Sequence, residues 1–235
     1  GGSLADTFIV NGIPSASGIS NDLQTNGVLR VSGGGGDDML NVRVASVWDV
    51  GIAGGSVAST ADESSGLIFD SFEFLRMDSG RFKLQNLNVP IKSFIGDRSG
   101  SALDLSSISG EVVFDLEIPG FELNGINILI GNGAASTVRG FNIDGGWILG
   151  SYDASSSEGA VNGWTDFSTA WYAGSGAFDR HSNNEIADIY FFNFGRVQGG
   201  AGVDEFHITR LSHPISPVID GGSGENSIHV QIADA

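Results

Sequence analysis

The stretch VQGGAGVDEFHI, residues 197–208, joins a glycine-rich turn to a strand-like segment. Three related stretches occur in the chain: GGSLADTFIV from residue 1, GGGGDDMLNV from residue 33 and GGSGENSIHV from residue 221. In each, an Asp or Asn follows the glycines, and a large apolar residue comes two positions later. This order predicts a tight turn that leads into a strand with one buried face. The apolar residues predicted to be buried are Phe8, Leu40, Phe206 and Ile228.

The sequence between the first two and the last two motifs also has the period of two that is typical of strands. Examples are FEFLRM (72–77), FKLQNLNV (82–89) and FELNGINILI (121–130). No long window keeps apolar residues at helical spacing without a glycine that interrupts it. We therefore predict an all-β protein.

Short strands separated by Gly, Asn, Asp and Ser turns are compatible with a sandwich or with a solenoid. The repeated units of Gly turn and inward apolar residue favour the solenoid, in which successive coils stack through ladder hydrogen bonds. The prediction is a single β-solenoid segment over residues 1–235, cut from a longer repetitive protein.

Composition excludes several classes of function. The net charge of −17 repels phosphate backbones and anionic lipid headgroups, so nucleic-acid partners and membrane insertion are not expected. The absence of cysteine excludes disulfides and thiolate metal sites, and it is common in exported bacterial chains. These features favour an extracellular protein that could bind cations.

The motif aspartates are candidate calcium ligands, because carboxylates and turn carbonyls are the oxygen donors that Ca²⁺ prefers. Asp6, Asp38 and Asp204 occupy the aspartate position, whereas the fourth motif has Asn226. One isolated turn supplies only part of a shell of six to eight oxygens. The alternative is that the glycines provide positive-φ turns and the aspartates cap turn amides without a metal.

The motifs resemble those of large repetitive bacterial exoproteins, the haemagglutinin-type and RTX-like adhesins. SALDLSSISGEVVFDL (101–116) is also similar to a connecting segment of such proteins. The resemblance implies a right-handed parallel β-helix or mixed β-solenoid, secreted or displayed on the cell surface. Leu4 in place of a glycine and Glu225-Asn226 in place of x-Asp depart from the pattern, which puts calcium at the first and fourth motifs in doubt.

Residues 147–184 differ from the rest because they combine Ser and Gly with many aromatic residues. We predict an irregular loop or insertion here. Trp164, Trp171 and Tyr172 could stack on sugar rings as a glycan-binding surface, or they could pack as a small satellite core.

Catalytic motifs are sparse. The sequence contains no nucleophile elbow, zinc helix motif, P-loop or dinucleotide fingerprint. Asp179-Arg180-His181 is a tight polar cluster, but neighbours on an extended chain face opposite sides. We therefore predict a non-enzymatic adhesin segment that binds a host or bacterial surface glycan or protein and adjoins further repeats of the same chain. The alternatives are a β-helical carbohydrate-active enzyme, such as a polysaccharide lyase or hydrolase, and a purely structural spacer.

Alanine substitution separates the two interpretations of the aromatic residues. If they form a satellite core, Trp164→Ala or Trp171→Ala should lower the free energy of unfolding by roughly 3–5 kcal/mol, as measured by urea denaturation. This is the result we expect. Loss of glycan binding with an unchanged melting temperature would instead identify an exposed platform.

Overall fold

The structure is a computed structural model. It describes residues 2–13, 28–59, 62–97, 101–116, 120–126, 128–140, 145–150, 170–174, 190–208 and 218–230. Every regular element in these ranges is a β-strand, which confirms the all-β prediction. The part of the chain that the structure describes contains no helix that could cross a membrane.

The chain forms two compact units. The first comprises residues 1–107 and 120–126, and the second comprises residues 108–119 and 127–235. The strands of the first unit are β1 (Thr7–Val10), β2 (Leu29–Ser32), β3 (Met39–Gly51), β4 (Gly54–Ser59), β5 (Asp62–Asp70), β6 (Phe74–Leu84), β7 (Ser93–Ile95), β8 (Ser101–Asp104) and β10 (Glu122–Asn124).

Five strands of the first unit stack in parallel, in the order β1, β3, β6, β7 and β10. Residues of matching type lie opposite one another in this ladder, so that one column of paired positions is apolar throughout. The column consists of Phe8, Leu40, Leu75, Phe94 and Leu123. Its three central members are fully buried.

The later halves of β3 and β6 continue with β8 as a second parallel ladder. Trp48, Phe82 and Leu103 lie opposite one another there, and all three are fully buried. The ring centroids of Trp48 and Phe82 are 5.2 Å apart, and those of Phe82 and Phe94 are 4.9 Å apart. Aromatic packing thus joins the cores of the two ladders.

An antiparallel excursion interrupts the parallel pattern in the described part of the first unit. From β3 the chain turns back as β4, which pairs antiparallel with β3 and with β5. The β5 strand then pairs in parallel with β2. The sequence did not indicate this excursion, because antiparallel and parallel strands share the same alternation of side chains.

The second unit has a similar organisation. Its described strands are β9 (Val112–Asp115), β11 (Ile128–Arg139), β12 (Gly145–Gly150), β13 (Ala170–Gly174), β14 (Tyr190–Gln198), β15 (Asp204–Ile208), β16 (Val218–Asp220) and β17 (Ser227–Val230). Parallel pairs join β9 to β11, β11 to β14 and β14 to β16, and a second series joins β12 to β15 and β15 to β17. Among these strands, β13 pairs antiparallel with its neighbours β12 and β14.

The predicted burial of the motif hydrophobic residues is confirmed for two of four positions. Leu40 and Phe206 are fully buried. Phe8 is half-buried, with its ring edge-on to Phe72 at 5.3 Å. The prediction is wrong for Ile228, which is 56% exposed because, among the described strands, β17 pairs on one side only.

The segment predicted to be an irregular loop, residues 147–184, contains strand structure. Strand β13 lies inside it, and β12 extends across its first residue. Residues 151–169 and 175–189 lie outside the described residues.

A matched pair of leucine truncations measures the importance of the ladder core. We expect Leu75→Ala to lower the free energy of unfolding by about 2–5 kcal/mol, because it leaves a cavity at a fully buried position. Leu4→Ala is the control, since Leu4 is 77% exposed and its truncation should cost little. Equal losses in urea denaturation would contradict the burial of Leu75 in the ladder core.

Candidate functional site

The four Gly motifs are named A (residues 1–10), B (33–42), C (199–208) and D (221–230), with positions 1 to 10 in each. The structure stacks them in two pairs. Thr7 of motif A lies opposite Met39 of motif B, and Phe206 of motif C lies opposite Ile228 of motif D. Equivalent positions therefore meet in both stacks.

The residue at position 6 links one motif to the next. In the first stack, the backbone N–H of Asp6 donates to Oδ1 of Asp38 at 2.8 Å. In the second stack, the backbone N–H of Asp204 donates to Oδ1 of Asn226 at 2.9 Å. Because an amide oxygen in motif D makes the bond that a carboxylate oxygen makes in motif B, this contact requires an acceptor and not a negative charge.

The ladder in the first unit continues to a residue that the sequence analysis missed. The backbone N–H of Asp38 donates to Oε2 of Glu73 at 2.8 Å. Glu73 starts the segment EFLRM, which lies opposite DMLNV of motif B. In the sequence, Glu73 is an acidic residue at the start of a strand-like segment, as in the Gly motifs. It was missed because no glycines precede it.

The turns themselves are in direct contact. The N–H at position 3 donates to the carbonyl at position 2 of the preceding motif in both stacks: Gly35 to Gly2 at 2.9 Å and Ser223 to Gly200 at 3.1 Å. This repeated bond brings the backbones of neighbouring turns together before the strands begin.

Close stacking explains the glycine at position 4 of motifs B and D. A Cβ on Gly36 would lie 2.7 Å from the carbonyl oxygen of Leu4, and one on Gly224 would lie 2.1 Å from that of Gly202. Both glycines also have positive φ, 120° and 107°. A side chain is therefore excluded at these positions both by the neighbouring turn and by the backbone conformation.

All three candidate calcium ligands accept hydrogen bonds from the protein, Asp38 through Oδ1 as described above. Oδ2 of Asp6 accepts from the N–H of Gly2 at 2.9 Å. Asp204 accepts from the N–H of Gly200 at 3.0 Å through Oδ2 and from the indole N–H of Trp147 at 2.8 Å through Oδ1. These contacts are the turn-capping role that was the alternative to calcium.

Asp38 is different. It is fully buried, and its Oδ2 has no hydrogen-bond partner among the described residues. The neighbouring Asp37 accepts a hydrogen bond from the ammonium of Lys92, and this bond raises the pKa of Lys92. Asp38 thus offers one orphaned carboxylate oxygen in a buried position.

A calcium ion needs more than this oxygen. Six to eight oxygen ligands are usual, and no group of three or more His, Cys, Asp or Glu residues in the described ranges is arranged to hold a metal. Within these ranges the contacts of Asp6 and Asp204 support capping, while calcium at Asp38 stays a prediction.

The three aromatic residues predicted to bind glycan are only partly located. Trp164 lies outside the described residues, as does the cluster Asp179-Arg180-His181. In the backbone register of β13, Trp171 is opposite Leu149 and Phe191, and Tyr172 is opposite Ile148 and Tyr190. Backbone pairing of β13 is compatible both with a glycan-binding surface and with a satellite core, so the two interpretations stay predictions.

Trp147, another aromatic residue of this segment, has a structural role that the sequence did not indicate. It is 2% exposed, and its ring stacks on Phe206 with centroids 5.7 Å apart and planes inclined by 9°. Its indole N–H satisfies the buried carboxylate of Asp204. Trp147 therefore ties β12 to motif C.

A second ladder of polar side chains crosses four strands of the second unit. Arg139 donates to Asp115 at 3.3 Å and to Gln198 at 2.9 Å, and Gln198 donates to Asp220 at 3.4 Å. These residues occupy successive positions of one column in β9, β11, β14 and β16. Each side chain finds its partner on an adjacent strand.

Comparisons with known proteins gave no relative: the chain matches no protein-family model, no curated protein and no solved structure.

Substitutions at Asp38 distinguish turn capping from metal binding. In the presence of a calcium chelator, we expect Asp38→Asn to retain nearly the wild-type stability. Its amide oxygen can accept from the backbone N–H of Asp6, as the amide oxygen of Asn226 accepts from that of Asp204. Asp38→Ala should lose about 1–3 kcal/mol, because it leaves a backbone donor unpaired. Urea denaturation measures both, and equal losses would contradict the capping role.

The same variants test calcium. If Ca²⁺ binds at Asp38, adding it should raise the melting temperature of the wild type and have little effect on Asp38→Asn. An equal rise in both proteins would place the ion elsewhere.

Proposed function

We propose that this chain is a segment of a secreted or cell-surface bacterial adhesin, in which a right-handed parallel β-solenoid serves as an elongated scaffold for adhesion. The observation that carries the proposal is the stacking of Gly motifs in register, A with B and C with D. Such stacking is the building principle of extended repeat proteins, in which each coil contacts mainly its neighbours.

Coils of unequal length support a scaffold that varies along its axis. Contacts that join equivalent positions span 32 residues from Asp6 to Asp38, 35 from Asp38 to Glu73 and 22 from Asp204 to Asn226. The strand residues that directly follow these contacts pair in parallel in all three cases. The additional residues can therefore form lateral features that bind a partner.

The chemistry of the side chains favours an extracellular binding role. The charge of −17 disfavours anionic partners such as nucleic acid and phospholipid surfaces. The proposed partners are a surface glycan or protein and adjacent repeats of the same chain. Calcium bound at Asp38 is part of this proposal and would stiffen the turns.

The alternative of a carbohydrate-active enzyme requires two carboxylates that reach the same substrate, with a basic residue nearby. The arrangement most similar to this in the described residues is the column of Asp49, Lys83 and Asp104 on β3, β6 and β8. Asp104, however, is 3% exposed. Its Oδ1 accepts from the N–H of Ser106 at 2.9 Å, and its Oδ2 lies 3.7 Å from Nη1 of Arg81.

The carboxylates of the other polar ladder also lie far apart. Asp115 and Asp220 are separated by two intervening strands, which places their backbones roughly 14 Å apart at the usual strand spacing. Paired catalytic carboxylates in glycosidases are separated by about 5–9.5 Å. This spacing favours a structural ladder over catalysis.

Binding and turnover can be measured on the same samples. We expect the chain to bind immobilised surface glycans or matrix proteins without shortening soluble polysaccharides in a reducing-end assay. Chain cleavage that disappears in Asp49→Asn would favour the enzyme, with Asp78→Asn as a surface control. If the chain neither binds these partners nor cleaves polysaccharide, a purely structural spacer is the remaining interpretation.

A further inference from the structure

The outward face of the parallel ladder in the first unit carries two polar groups without partners. Asn41 on β3 lies opposite Arg76 on β6. The residues before them, Leu40 and Leu75, also lie opposite each other and are fully buried in the core. Because side chains alternate along a strand, Asn41 and Arg76 face away from that core.

Asn41 is an unusual residue for an outward face. It is 6% exposed, and its Oδ1 has no hydrogen-bond partner among the described residues. A buried acceptor without a donor is costly, and nearly all such atoms in folded proteins are paired. A ligand that donates a hydroxyl or an N–H at this point would satisfy Oδ1.

Arg76 supplies a positive charge at the adjacent position. Its side chain is exposed, and within the described part of the chain its guanidinium makes no ion pair or hydrogen bond. Two residues further along the same two strands, Arg43 and Asp78 are both exposed, and their opposite charges offset each other. Arg76 is therefore the uncompensated charge beside Asn41.

Apolar side chains border this polar pair. Met39 and Phe74 lie opposite each other, two residues before Asn41 and Arg76 on the same strands. Ile95 on β7 lies opposite Arg76 on its other side. All three apolar residues are half-buried, so part of each stays accessible. The face thus combines an apolar surface with one acceptor and one cation, on strands about 4.8 Å apart.

We propose that this face binds a sugar with a single carboxylate, a uronic acid. Arg76 pairs with the carboxylate, Asn41 accepts from a ring hydroxyl, and the apolar face of the ring packs on Phe74 and Met39. The proposal names the ligand class of the glycan-binding role given above and rests on that role.

The chemistry of the face selects this class of ligand. A guanidinium binds a carboxylate through two parallel hydrogen bonds. One uronic acid ring bears both a carboxylate and hydroxyl donors, so a single sugar can reach both positions. A neutral sugar would leave Arg76 unpaired, and a polyanion is disfavoured by the net charge of −17.

Cellobiouronic acid and cellobiose are matched probes, because they differ only in a carboxylate that replaces a hydroxymethyl group. We expect isothermal titration calorimetry to show about tenfold tighter binding of the acid by the wild type, since charge-assisted hydrogen bonds are stronger than neutral ones. Arg76→Gln should bind the acid as weakly as cellobiose.

Arg30→Gln is the control for loss of charge. It removes the same charge from another exposed arginine, on β2, which pairs with β5. This variant should keep the wild-type preference for the acid. Loss of the preference in Arg30→Gln and Arg76→Gln alike would reduce the effect to net charge and overturn the assignment of Arg76.

Asn41→Leu separates a binding role from a structural one. We expect it to bind both sugars about tenfold more weakly, because the acceptor for the ring hydroxyl is lost. Its midpoint in urea should be no lower than that of the wild type, because the substitution removes an unpaired buried acceptor. A lower midpoint with unchanged binding would show a structural role and overturn the assignment of Asn41.

Other outcomes separate this site from the broader role. Equal affinity of the wild type for the two sugars, or a preference for the acid that persists in Arg76→Gln, would overturn the proposal. If the same proteins still bound immobilised surface glycans, the glycan-binding role would stand and only this site would be wrong. Binding of an acidic peptide in place of both sugars would overturn the choice of ligand.

Discussion

The fold depends on the hydrogen bond that crosses from one turn to the next at position 6 of the Gly motifs. A backbone N–H at the entrance of a strand would be left without a partner where the ladder begins, and the Asp, Glu or Asn of the following strand accepts from it. Because a donor left unpaired in a partly buried position is costly, this bond favours one starting point for β1, β3 and β15. The apolar columns that follow, such as Leu40 with Leu75, then meet in register.

The cores of both units are built by the same rule, and they differ in how the polar groups at their margins are satisfied. In the first unit, Glu73 extends the motif ladder beyond the glycines. In the second, the indole of Trp147 takes over part of this task at Asp204, and Arg139 and Gln198 join four strands on an outward column. Polar ladders of this kind set the register on the outer side as packing does on the inner side.

Sequence reasoning predicted the strand class, the turns and the burial of Leu40 and Phe206, because alternation and glycine patterns are local signals. It did not find Glu73 or the role of Trp147, since both act on residues distant in sequence, at separations of 35 and 57 residues. It was wrong about Ile228 because burial depends on strand neighbours on both sides, and among the described strands β17 pairs with β15 alone. The antiparallel strands β4 and β13 were missed because strand direction leaves no trace in a periodic pattern.

Those two strands have a consequence for how such a chain can change. In each unit the chain leaves the parallel stack, makes an antiparallel detour and then returns to parallel pairing. The length of such a detour can therefore change while the paired strands of the stack stay in place. Closing a longer loop costs little additional free energy. The β3–β4 turn, where Ile52 is 61% exposed, is on this account a natural position for grafting a foreign epitope or a recognition peptide.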